Sequence, residues 1–116
     1  MIFKTANLTI KNFECKVDLD LNRSIALITP VLSAECKQAS VLIGSLKIDD
    51  HEMIPAIKII LETGINRVEL KNLKIINPLI VEPEDAPGTK QYKITLDLYL
   101  APGQVESIDK MIEIKR

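Results

Sequence analysis

Apolar and polar residues alternate along much of this chain. Phe13, Cys15, Val17, Leu19 and Leu21 occupy every second position, with Glu14, Lys16, Asp18 and Asp20 between them. A strand turns successive side chains to opposite faces, so this run predicts one buried face and one wetted face. Ala6, Leu8 and Ile10 alternate in the opposite phase. The change falls at Lys11-Asn12, where a tight turn or a bulge would produce it. Tyr92, Ile94, Leu96, Leu98 and Leu100 repeat the pattern against Gln91, Lys93, Thr95, Asp97 and Tyr99. Alternation this regular favours an antiparallel sheet with a solvated face over a parallel α/β sheet.

Ser24 to Leu32 is almost continuously apolar and predicts a more buried strand, with Pro30 pointing to an edge position or a bulge. Residues 34–48 fit both periods, and Val41 and Ile43 tip them to a strand. Residues 67–77 predict another strand, with a phase change at Lys71-Asn72. Two segments carry helical spacing. In 50–64, Met53, Ile57, Ile60 and Leu61 share a helical face, Asp49 or Asp50 caps it, and Gly64 stands at its end. Pro55 is compatible if that helix begins near Ile54. After the Ala101-Pro102-Gly103 turn, Val105, Ile108, Met111 and Ile112 predict a second amphipathic helix. Glu82 to Gly88 is an acidic, proline-rich loop, read as a hairpin connection or a mobile contact arm.

These elements add up to an α+β fold over a single domain, 1–116. Its core would be a mainly antiparallel sheet of five to six strands, with a helix near 50–64 and another near the C-terminus. The alternative is a small closed β-barrel, either OB-like or built from two related halves. The second form rests on an echo between Leu8–Cys15 and Val68–Ile75.

Composition narrows function more than it identifies it. Hydrophobic residues make up 47% of 116, enough for a real core. Fifteen basic residues against 16 acidic leave a net charge of -1, which weighs against nucleic acid as a ligand. No apolar run is long enough for a membrane span, and the first residues lack a signal peptide's apolar stretch. The expected compartment is the cytoplasm, with Cys15 and Cys36 as free thiols.

Residues that do chemistry are scarce. His51 is the single histidine, flanked by Asp49, Asp50 and Glu52. Those carboxylates would suit acid–base work or a loosely held cation, but they also suit a solvated helix N-terminus. A zinc site needs about four ligands, which one histidine and two distant cysteines do not supply. Nucleophile-elbow and glycine-rich phosphate motifs are absent. No catalytic, cofactor-binding or metal residue is therefore assigned, and no cofactor is expected.

The reading this leaves is a non-enzymatic interaction or assembly module, forming a homo-oligomer or binding a protein partner. Its contact surface would lie on strand 24–32, which is apolar on both faces. One alternative is an OB-like single-stranded nucleic-acid-binding protein using Tyr99, Lys93 and Lys90. Another is a small enzyme using the acidic residues around His51.

Overall fold

The computed structural model describes residues 2–20, 22–76 and 89–115. Every regular element among them is a strand: β1 (Phe3–Lys4), β2 (Leu8–Asp20), β3 (Ile25–Cys36), β4 (Ser40–Ile48), β5 (His51–Leu61), β6 (Gly64–Glu69), β7 (Leu73–Ile76), β8 (Thr89–Ala101) and β9 (Gln104–Lys115). They form two antiparallel sheets. The five-stranded sheet runs β1-β2-β3-β6, with β7 beside β6 on the same flank of β3, and the four-stranded sheet runs β5-β4-β8-β9. The chain changes sheet between β3 and β4, between β5 and β6, and between β7 and β8, as in a β-sandwich with crossing connections.

The fold is thus all-β, and the α+β expectation is overturned. Segment 50–64 is not a helix but β5 and the start of β6. Asp49 and Asp50 both have positive φ, 48° and 68°, and turn the chain back into a hairpin instead of capping a helix. Ile57, Ile59 and Leu61 alternate into the core while Met53 and Ile60 of the expected helical face stay exposed. Pro55 lies on an edge strand, inside the register shift between the Gly44–Ile57 and Leu46–Ile54 pairs of the β4–β5 ladder, where a missing N–H is tolerated. The C-terminal helix is likewise replaced by β9, whose Ile108, Ile112 and Ile114 are buried against β8's side of the core. The closed barrel, OB-like or duplicated, falls as well: both described sheets are open. The acidic loop at 82–88 lies outside the described residues.

Two phase changes in the sequence have local causes. The Lys11-Asn12 change is a bulge in the β2–β3 ladder, and it keeps Leu8, Ile10 and Phe13 on one buried face. The Lys71-Asn72 change is the gap between β6 and β7. Pro30 sits opposite that gap, fully buried in a central strand and not at an edge. Its carbonyl accepts the Leu70 N–H at 2.8 Å. A proline has no N–H to offer on that flank, and the neighbouring strand is interrupted there.

The core lies between the sheets. Ile10, Phe13, Ala26, Ile28, Leu32 and Ala34 face Leu46, Ile59, Leu61, Ile94, Leu96 and Leu98 in one continuous cluster. Among the described residues, every buried side-chain nitrogen or oxygen has a hydrogen-bond partner, as the cost of an unpaired buried group requires.

Candidate functional site

With the inner faces packed together, the outer faces carry what the molecule shows to its surroundings, and the two differ. The outer face of the five-stranded sheet is laced with ion pairs. Lys16 reaches across β3 to Glu69 at 3.0 Å, and Lys11 meets Glu35 at 3.1 Å. On β3, where strand 24–32 was expected to offer an apolar contact surface, outward-pointing Val31 is 2% exposed beneath such pairs while Leu27, in the same phase, is 37% exposed.

The outer face of the four-stranded sheet divides into two zones. In the first, ladder pairing sets Ile43 of β4 beside Tyr99 of β8, and Tyr99 beside Val105 of β9. Val41 and Ile60 pair directly across β4 and β5 one step further along. These five side chains are each between 42% and 62% exposed. They form one apolar row across all four strands at the end of the sheet near the Pro102-Gly103 turn.

The second zone is polar and adjoins the first. Asp97 on β8 is 5% exposed. It takes a 2.8 Å ion pair from Lys47 on β4 and a hydrogen bond from the Ser107 hydroxyl on β9. Ser45 is fully buried beside it and lies 3.4 Å from the Tyr99 hydroxyl. Thr95 donates to Asp109 at 2.7 Å. Burial pushes the Asp97 carboxyl up, but the Lys47 and Ser107 hydrogen bonds, the Lys47 charge and the Ser45 hydroxyl outweigh it and hold the group below the usual carboxylate range. The hydrogen bond and charge of Asp97 raise Lys47 in turn. The pair therefore stays ionised at neutral pH. It clamps three strands together.

The residues singled out from the sequence do not converge. Tyr99 does point outward and is exposed. Lys93 is on the same face, but its ammonium lies 3.0 Å from Asp50 and its N–H donates to Asp49 at 2.8 Å. At about 3.3 Å per residue Lys93 stands roughly 20 Å from Tyr99, with acidic Asp97 between them. Lys90 falls in the opposite phase, paired with Ile114. His51 opens β5, exposed and paired with Ile48 across the Asp49-Asp50 turn. Among the described residues, no group of three or more His, Cys, Asp or Glu is placed to hold a metal ion. Cys15 and Cys36 are free, on neighbouring strands but far apart along them. Sequence reasoning missed the apolar row because Ile60 and Val105 lie in the two segments read as helices.

No family model matches the chain, and no curated protein matches it. Among solved structures the chain resembles part of the β-glucuronidase of Parabacteroides merdae, determined with glycerol in its active site. The TM-score is 0.60 at 15% identity, over 91% of this chain and 13% of that one. At this identity the likeness shows the sandwich fold alone. Among the described residues no helix is long and apolar enough to cross a membrane.

Proposed function

We propose that this domain is a non-enzymatic assembly module that self-associates through the outer face of its four-stranded sheet. The observation that carries the reading is the apolar row Val41, Ile43, Ile60, Tyr99 and Val105. With each side chain about half exposed, the row presents on the order of 400 Å² of mostly apolar surface, within the size range of patches that serve as contact sites. The clamped Asp97–Lys47 zone beside it supplies a polar rim, the usual surround of a contact core. Two free thiols suit a reducing compartment such as the cytoplasm.

The test is absolute mass by light scattering across a concentration series, for the wild type and Ile43→Glu. Ile43 is 44% exposed, so a glutamate there is compatible with the fold. The wild-type mass rises above the 13.0 kDa of one chain with concentration, and the variant's mass rises less. A wild type that stays at one chain mass overturns the reading, as does a variant that associates equally well.

A further inference from the structure

The four-stranded sheet has a second unpartnered surface, the free edge of β9, and it differs from the other edges. β5 carries Pro55 and two register shifts. β1 is two residues long, and the β6–β7 flank is interrupted at Leu70–Asn72. β9 runs for 12 residues without proline or glycine, and its ladder with β8 is regular from Val105 to Lys115. Among the described residues, no strand pairs with its outer side. Such an edge offers a row of backbone donors and acceptors to another strand.

We propose that a second copy of this chain pairs antiparallel along β9, about a two-fold axis at Ile108, joining the two four-stranded sheets into one. The occupant and the register both follow from charge complementarity along this strand. With Ile108 opposite itself, Glu106 faces Lys110 of the other copy, twice by symmetry. Val105 faces Met111 in the same way, and Ser107 faces Asp109. Directly opposed residues in an antiparallel pair have Cβ atoms about 5 Å apart, close enough for each pair to interact. Neither Glu106 nor Lys110 has an ion-pair partner within the described chain. Val105 and Met111 are 47% and 55% exposed. Ser107 and Asp109 are already turned to Asp97 and Thr95 of β8.

Neighbouring registers are worse. An axis at Asp109 or Lys110 sets like charges face to face, which is destabilising. An axis at Ser107 opposes Glu106 with Ile108 and Val105 with Asp109. An isologous contact requires self-complementarity of this kind, and the Ile108 register supplies it. The pairing would also bring Met111 of the second copy beside Val105, lengthening the apolar row.

The β9 edge is a different surface from the proposed face contact, and charge reversal separates the two. The dissociation constant is measured by sedimentation equilibrium for the full chain and for Glu106→Lys, Lys110→Glu and the double variant, with circular dichroism confirming the fold. Each single variant sets like charges opposite at both symmetric positions and weakens dimerisation about tenfold or more. The double variant restores the pairs with their signs exchanged and returns to within about threefold of wild type. Single variants that associate as wild type overturn the β9 contact, as does a double variant that is not restored. If Ile43→Glu weakens association and the β9 variants do not, the face reading stands and the edge reading falls. The reverse pattern removes the face and keeps the edge. A wild type at one chain mass throughout removes both.

Discussion

Replacing Asp97 with alanine removes the acceptor on which three strands converge, and the cost follows from its surroundings. Asp97 accepts hydrogen bonds from Lys47 and Ser107 at a site 5% exposed. Hydrogen bonds involving a charged group contribute about 1.5–3 kcal/mol each. The full sum is not lost, because the Lys47 side chain is 35% exposed and its ammonium can return to water. Ser45 also keeps the Tyr99 hydroxyl within reach. The expected net loss is about 2–3 kcal/mol, or roughly 8–12 °C in Tm for a domain of this size. Thermal and urea denaturation followed by circular dichroism at pH 7 reads it.

The pH profile adds a second check. The folded-state pKa of Asp97 is depressed, so its contribution is fully present above the unfolded value of about 3.9 and is lost as pH falls through the lower folded value. Lys47 is raised, so its share is present below its ordinary value and lost as pH climbs through the folded one. The gap between wild type and variant is therefore flat from about pH 5 to 8 and closes below about pH 4. A loss under about 0.5 kcal/mol at pH 7 would refute the reasoning, because that is the ordinary effect of an exposed substitution. A gap that persists unchanged to pH 2 would refute it equally.

Two further outcomes test the interior. A Cβ at Gly44 would lie 3.1 Å from the Asp97 carbonyl oxygen, 3.2 Å from Leu96 Cδ1 and 3.3 Å from Ile59 Cδ1. Gly44→Ala should therefore cost about 1–2 kcal/mol by chemical denaturation, and an unchanged or higher stability would contradict that close approach. Burial pushes the Cys15 thiol up to about 11, with the Lys110 charge pulling it back in part. Labelling of the native chain at Cys15 by a maleimide should keep accelerating from pH 8 to about 10.5, since the thiolate is the reactive form; a rate that levels off by about pH 10 would show an ordinary thiol.

Strands whose neighbours hardly matter were legible in the chain itself. The period-two runs of β2 and β8 give the inward and outward phases of those strands, although Val17 of the inward phase is exposed and Thr95 and Asp97 of the outward phase are buried, and the bulge at Lys11-Asn12 shows as a change of phase. The segments around β5 and β9 were not legible, because they satisfy two periods at once. Ile57, Ile60 and Leu61 read as a helix while Ile57, Ile59 and Leu61 read as a strand, and Ile108, Met111 and Ile112 are ambiguous in the same way. Tertiary pairing made the choice: β4 and β8 lay their unfilled ladders beside these segments, and a strand there completes backbone hydrogen bonds that a helix would leave open.

The candidate surface was hidden for the same reason. Its apolar row takes residues from four strands, and no local pattern shows that Val41, Ile60 and Val105 share a face. Asp97 shows the limit most plainly. Alternation placed it correctly on the outward side of its strand, yet it is buried, because Lys47 and Ser107 arrive from β4 and β9 to cover it. Period and composition determined which side of each regular strand is apolar, since that depends on covalent order alone. Which strands are neighbours, and so which side chains meet, depends on pairing between distant segments, and only the assembled sheets decided it.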